Sequence, residues 1–159
     1  MRSLSEVKQV TNEPLRTADL VAAFTDAMTH EGVEAMMRLW APDGEWVIMA
    51  TGETFKGHDQ IRQLANRSVA ARTHGSGEGL LPFNVFTNIE GTRLCWEYAH
   101  KAVVTDEWPA STNKPVPGTK VDIPIVLICE IAESKLTKIR EYFDLSTVTE
   151  PGVHRKLYS

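Results

Sequence analysis

At residue 80 the sequence changes period, and this change restricts the possible folds more than any other feature. Upstream, apolar side chains recur every three or four positions, the spacing of one helix face; downstream they alternate, the spacing of a strand. Leu81 to Ile89, Arg93 to Val104, Thr119 to Ile131 and Lys135 to Val148 read as four successive strands, with turns at Glu90-Gly91 and Glu133-Ser134. In the first half, Leu20, Val21, Phe24, Ala27 and Met28 form the stripe of a helix that Thr17 or Asp19 can cap. Gly32 interrupts it. Val33, Met36, Met37 and Trp40 then predict a short second helix, stopped by the turn signal Pro42-Asp43-Gly44. A strand follows over Glu45 to Ala50, then a turn at Thr51-Gly52. A third helix starts at Gly57-His58-Asp59, with Ile61, Leu64, Ala65 and Val69 inward. The run His74 to Gly79, rich in glycine, makes a flexible connection to the strands. Three helices and a long-stranded meander predict an α+β domain, its helices packed on one face of a curved, mixed or antiparallel sheet.

That domain occupies residues 17–148, between a polar arm over 1–16 and a tail over 149–159. A net charge of -4 with no block of Lys and Arg argues against nucleic acid as the main partner. No apolar run reaches the roughly 18–20 residues of a membrane helix, and Met1 to Lys8 lacks the apolar stretch of a secretory signal. A soluble cytoplasmic protein with no membrane partner is expected. Cys95 and Cys129 have neither the numbers of a disulfide scaffold nor metal-ligand spacing, and read as reduced packing residues. With no phosphate loop, dinucleotide fingerprint, zinc spacing or nucleophile elbow, neither a cofactor nor a metal is expected. Thr105 to Gly118, carrying Pro109, Pro115 and Pro117, is long for a plain connection and is either a lid or a solvated hairpin tip.

Alternation also sorts side chains by face. Leu94, Trp96, Tyr98, His100 and Ala102 share one face of their strand, and Cys95, Glu97, Ala99 and Lys101 the other. Val121, Ile123, Ile125 and Leu127 oppose Asp122, Pro124 and Glu130; Ile139, Glu141 and Phe143 oppose Arg140, Tyr142 and Asp144. The oilier faces belong under the helices, and they carry two ionisable groups, His100 and Glu141. A buried charge needs a partner or a purpose. The two could be an acid/base couple working near neutral pH, or a structural His–Glu hydrogen bond. Trp46, Trp96 and Met49 could line a ligand cavity or simply fill the core. His30 and His58, at turn or cap positions, and His154, in the tail, read as solvated, while His74 could swing over a pocket.

Three segments then carry a resemblance: Leu39-Trp40-Ala41-Pro42-Asp43, Gly52-Glu53-Thr54-Phe55-Lys56-Gly57-His58-Asp59-Gln60-Ile61, and the closing Lys138-Ile139-Arg140-Glu141-Tyr142-Phe143-Asp144-Leu145. Together with the strand pattern they resemble the SnoaL-like branch of the nuclear transport factor 2-like superfamily over about residues 17–148. The resemblance implies a cone-shaped α+β barrel. It implies no single activity, because isomerases, cyclases, dehydratases, epoxide hydrolases and non-catalytic binders share that scaffold. The closing strand is also similar to that of limonene-1,2-epoxide hydrolases, which use a water held by an Asp, an Asn and a Tyr, with an Arg bridging to a second Asp. Their base Asp falls on Glu141, their Arg on Tyr98, their second Asp on His100, and their Tyr and Asn on Trp46 and Ile48. Only the base keeps its chemical type, so that hydrolytic arrangement is incomplete here. The acid/base Asp of SnoaL-type polyketide cyclases falls on Asp144, which can join Glu141 on the inner face only if the strand bulges. A pocket histidine of scytalone dehydratases lies near His100.

Two functions are therefore expected candidates. The first is cofactor-independent acid/base chemistry (isomerisation, cyclisation, dehydration or related hydrolysis) on a hydrophobic polyketide-, terpenoid- or steroid-like molecule. Glu141, His100, Tyr98 and Asp144 are its catalytic candidates, and Trp46, Ile48, Trp96, Ile123, Ile125 and Phe143 its substrate-binding walls. The second is a non-catalytic ligand-binding or dimerisation module, its cone filled by Trp46, Trp96 and Phe143. On either reading the outer sheet face, with Cys95, Ala99, Val126 and Ile128, is expected to pair two copies into a homodimer.

Overall fold

Leu20, Val21, Phe24, Ala27 and Met28, the first apolar stripe, are all buried in the computed structural model, which describes residues 17–73, 80–104, 106 and 116–146. They line α1 (Thr17–Asp26) and the single π-helical turn that continues it over Ala27–Glu31. Gly32 closes that turn. Its N–H donates to the Ala27 carbonyl at 2.8 Å, and its φ of 87° with ψ of -174° is a conformation essentially reserved for glycine. At the other end, the Thr17 hydroxyl donates to the Gly91 carbonyl at 3.0 Å, pinning the start of α1 to a turn of the sheet. α2 (Val33–Met37) buries Ala35, Met36 and Met37, and α3 (Gly57–Thr73) buries Ile61, Leu64 and Ala65 along one face. An Arg62–Glu34 ion pair joins the two helices. His30 is exposed, as expected, whereas His58 is half-buried with Nε2 3.3 Å from the Trp40 carbonyl oxygen. The arm, the tail, His74 to Gly79, the side chain of Val69 and most of the 105–118 loop lie outside the described residues.

The strands are β1 (Trp40–Ile48), β2 (Glu53–Lys56), β3 (Leu80–Thr87), β4 (Arg93–Val103), β5 (Lys120–Ala132) and β6 (Lys135–Phe143). They form one sheet in the order β2-β1-β6-β5-β4-β3. Neighbours run antiparallel except β1 and β6, which are parallel, so the sheet is mixed. Among the described residues it stays open, with β2 and β3 as its edges and the helices packed on one face, so the expected barrel is not closed there.

Two local expectations are corrected. Trp40 opens β1 instead of ending a helix, and Pro42-Asp43-Gly44 lies inside that strand as a bulge, not as a turn. Trp40 pairs with Leu136 and the next pair is Glu45 with Lys138, so β1 spends five residues where β6 spends two. A bulge of this kind accepts proline, which has no N–H to give the ladder. The second correction is β2, four residues long, too short for alternation to show; it pairs with β1 from Glu45–Lys56 to Ile48–Glu53.

The inner face follows the alternation: Leu94, Trp96 and Tyr98 of β4, Val121 to Cys129 at every second position of β5, and Leu136 and Ile139 of β6 are buried. On the outer face, one rung holds Lys56, Glu45, Lys138, Glu130 and Arg93 side by side across five strands, in alternating sign. Lys138 Nζ lies 2.8 Å from Glu45 Oε1, and this bond holds the Glu45 carboxyl below its ordinary 4.5. Directly opposed unlike charges favour this register over slipped ones.

Candidate functional site

Register brings the candidate residues together, because the strands that carry them are far apart in the chain. Glu141 pairs with Ile48 of β1 and with Leu127 of β5, and Leu127 pairs with Trp96 of β4. One rung of the inner face thus reads Ile48, Glu141, Leu127, Trp96: a carboxyl group among three buried apolar side chains. The next inner rung holds Phe143, Ile125 and Tyr98, and the one beyond it Ile123 and His100.

Glu141 is half-buried, and its Oε2 accepts a hydrogen bond from Trp46 Nε1 at 2.8 Å. Its backbone carbonyl also accepts the Met49 N–H at 2.9 Å, which holds the end of β1 against β6. Trp46 is buried and has little room to turn. It stacks on Trp40 with ring centroids 5.7 Å apart and planes at 23°, and meets Phe24 at 6.0 Å and 54°. Phe24 in turn meets Trp96 edge-on at 5.4 Å, and Trp96 meets Tyr98 at 4.8 Å. Five rings therefore run without a break from β1, past α1, to β4. Such pairs contribute roughly 0.5–1.5 kcal/mol each beyond the area they bury, and together they make a rigid floor beneath Glu141. The bulge in β1 backs this floor: a Cβ at Gly44 would lie 2.6 Å from Trp40 Cε3.

Of the predicted catalytic residues, Glu141, Tyr98 and His100 share the inner face. Tyr98 is buried against Trp96. His100 is half-buried, its Nε2 shielded from solvent, two strands and two inner rungs away from Glu141. Asp144 is not brought to them. It lies just past the end of β6, exposed, its Oδ1 accepting from the N–H and Oγ of Ser146 at 2.9 and 2.7 Å. β6 pairs without a break from Lys138 to Phe143, so no bulge turns Asp144 inward. The predicted walls Trp46, Ile48, Trp96, Ile123 and Ile125 are buried, and Phe143 is half-buried. Sequence reasoning treated Trp46 as a wall and missed its bond to Glu141. The one available signal was the resemblance that set Trp46 where a hydrogen-bonding tyrosine stands in epoxide hydrolases.

Between α1 and the sheet lies an apolar void of about 10 Å³, room for a single water at most, lined by Phe24, Trp96, Leu127 and Ile139 among others. Neither Glu141 nor His100 borders it. Burial pushes the Cys129 thiol up to about 12, which keeps it protonated and poorly nucleophilic. What the inner face offers chemically is a carboxyl group on an apolar wall, bonded to the Trp46 indole N–H, with a phenol and an imidazole one and two rungs away. That set can take a proton from a bound molecule and give one back.

No protein-family model and no curated protein matches the sequence. Solved structures match in shape. A candidate polyketide cyclase of Pseudomonas putida KT2440 superposes with a TM-score of 0.67 at 17% identity, over 84% of this chain and 95% of the other. The epoxide hydrolase/cyclase-like enzyme SalBIII, of pyran ring formation in the polyether salinomycin, gives 0.66 at 15% identity, over 83% and 93%. A ketosteroid isomerase-like protein of Catenulispora acidiphila DSM 44928, solved with trimethylamine, gives 0.63 at 22% identity, over 82% and 88%. With three helices on a six-stranded mixed sheet among its described residues, the chain has the fold of the ketosteroid isomerase-like, nuclear transport factor 2-like proteins.

Proposed function

We propose that the protein is a cofactor-independent enzyme that moves a proton on a hydrophobic small molecule, with Glu141 as its general base. The observation that carries this reading is a half-buried carboxyl group on an otherwise apolar face, held at 2.8 Å by the N–H of Trp46. Placing a charge on such a wall is costly, and a proton acceptor is the function that gives it a reason. Tyr98 is the proposed donor to a developing oxyanion, and His100 the proposed second proton carrier. We give Asp144 no part in the chemistry. Isomerisation, cyclisation or dehydration of a polyketide-, terpenoid- or steroid-like compound would each use this set, and the cyclase-type neighbours of the same fold support that class of substrate.

A second reading, a non-catalytic ligand-binding module of the same fold, draws support from the filled floor: Trp46 and Trp96 are only 3% and 1% exposed. The two readings separate with 5-nitrobenzisoxazole, whose ring opens when a base removes one C–H proton. The protein should open it faster than buffer, and Glu141→Gln should lose roughly a hundredfold or more while melting like the wild type. Equal turnover by the variant sinks the base assignment and leaves the module. We also propose a homodimer through the outer sheet face, where exposed Phe86 and Tyr142 adjoin Cys95, Val126 and Ile128. A monomer mass at micromolar concentration would overturn it.

A further inference from the structure

Trp46 is both the partner of Glu141 and a member of the aromatic floor. We infer that it is a positioning residue: its indole N–H fixes the Glu141 carboxylate in one orientation and in its ionised form, poised to accept a proton. The inference rests on the base reading of Glu141 and adds the residue that makes that base competent.

Three observations carry it. First, the bond is short, 2.8 Å, and joins side chain to side chain across the parallel strand pair β1–β6. Second, the fold does not require inner-face indoles to be paired. Among the described residues, Nε1 of Trp40 and of Trp96 are buried without a hydrogen-bond partner. Of the three described indoles, the paired one is the one beside the carboxyl group of Glu141. Third, the Trp46 ring is held by its stack on Trp40 and its contact with Phe24, so its N–H has a fixed direction. A carboxylate bound to a fixed donor loses its own rotational freedom, and its proton-accepting lone pairs keep one heading.

Indole suits this task in a way that tyrosine or histidine would not. It donates one hydrogen bond, accepts none and does not titrate in the working range. It cannot hand its own proton to Glu141 or take one away. A substrate C–H or O–H bond breaks, its proton goes to the carboxylate, the electron pair stays on the substrate, and the proton later returns to the product. Trp46 keeps its hydrogen throughout. A donor bound to the charged form favours that form over the acid.

Other groups that titrate on the inner face, among the described residues, are Tyr98 and His100 of β4 and Cys129 of β5. The charged and titratable groups of the covering helices, among the described side chains, are Asp19 and Asp26 of α1, His30 of the π-helical turn, Glu34 of α2, and His58, Asp59, Arg62 and Arg67 of α3, and all keep contact with solvent. Any of these could colour a pH profile, so the test reads Trp46 and Glu141 separately.

Labelling the full chain with 15N-tryptophan gives an indole N–H signal for each of its 4 tryptophans. One signal should titrate with a carboxyl group, disappear in Trp46→Phe and stop moving in Glu141→Gln. With 13C-carboxyl glutamate, the Glu141 midpoint should move to higher pH in Trp46→Phe. Against 5-nitrobenzisoxazole, Trp46→Phe should keep KM within about twofold and lose roughly tenfold or more in kcat, its pH–rate profile displaced upward. An unchanged midpoint and profile in Trp46→Phe overturns the inference, and so does an indole signal indifferent to Glu141→Gln. The Glu141→Gln arm leaves the ring stack intact and decides the matter if Trp46→Phe does not fold. If the wild type does not open the probe, the base reading fails, while the two titrations still show whether Trp46 sets the charge of Glu141.

Discussion

Replacing Gly44 with Ala adds a single methyl group, and the structure gives the sign and size of its effect. The φ of Gly44 is not among the positive values, so alanine fits the backbone. On that ground alone the change would stabilise by about 0.4–1 kcal/mol, through a less flexible unfolded chain. The new Cβ, however, would lie 2.6 Å from Cε3 and 3.1 Å from Cζ3 of Trp40, and 3.1 Å from the Ala41 carbonyl oxygen. Trp40 is 2% exposed and stacked on Trp46, so the ring has nowhere to retreat without disturbing the donor to Glu141. Overpacking of this kind costs about 1–3 kcal/mol, and a rigid indole belongs in the upper half of that range. For a domain of this size the loss corresponds to a melting point lower by roughly 4–10 °C. Urea unfolding followed by tryptophan fluorescence measures it. The companion is Trp40→Phe, which removes both Cε3 and Cζ3. In that background Gly44→Ala should cost at least about 1 kcal/mol less, a coupling expected of residues in contact. A stabilised Gly44→Ala, or an equal cost in both backgrounds, would refute the reasoning.

Two further outcomes concern titration. Burial pushes the Cys129 thiol from 9.0 up to about 12. A thiol reagent at neutral pH should therefore leave Cys129 unmodified in the native protein and reach it only as the chain unfolds. Above pH 9 the unfolded thiol ionises while the folded one keeps its proton, so stability falls as pH rises towards 12, by up to about 1.4 kcal/mol per pH unit. Cys129→Ala should flatten that alkaline slope; a slope as steep as before counts against the assignment. Glu45 runs the other way. Its carboxyl is held low chiefly by the Lys138 hydrogen bond, so its contribution is complete above 4.5 and disappears as pH falls through the folded value. Glu45→Gln should weaken the acid dependence of stability and change little at neutral pH. An acid limb identical to that of the wild type would show the pair to be inert.

The inner face could be read from the sequence because burial imposes a period of two on every strand that crosses the core: Leu94, Trp96 and Tyr98, or Val121 to Leu127, announce their side without coordinates. The same parity set Glu141 inward and Asp144 outward. What could not be read has a physical cause in each case. Pro42-Asp43-Gly44 has the composition of a turn and of a bulge alike, and only the ring of Trp40 lying against Gly44 decides between them. β2 is a strand by virtue of its neighbour β1, since four residues carry too little periodicity. The Trp46–Glu141 bond depends on a parallel register between distant segments, for which no local pattern exists. The observation on which the proposed chemistry rests lay in that unread contact.

Trp46 and Glu141 are 95 residues apart, and the strand bearing Glu141 sits in the middle of the sheet although it is the last of the six in sequence. Until β6 is in place, the sheet exists only as two separate pieces, β2 with β1 and β5 with β4 and β3. Closing so long a loop is entropically expensive and slow to achieve. During synthesis, then, the proposed base and its donor meet at the same moment that the two halves of the sheet are sewn together. A nascent chain stopped short of Lys135 would possess the walls that β1, β4 and β5 supply but lack Phe143, the Glu141 carboxyl group and a continuous sheet, so an open β1 edge and an incomplete site go together.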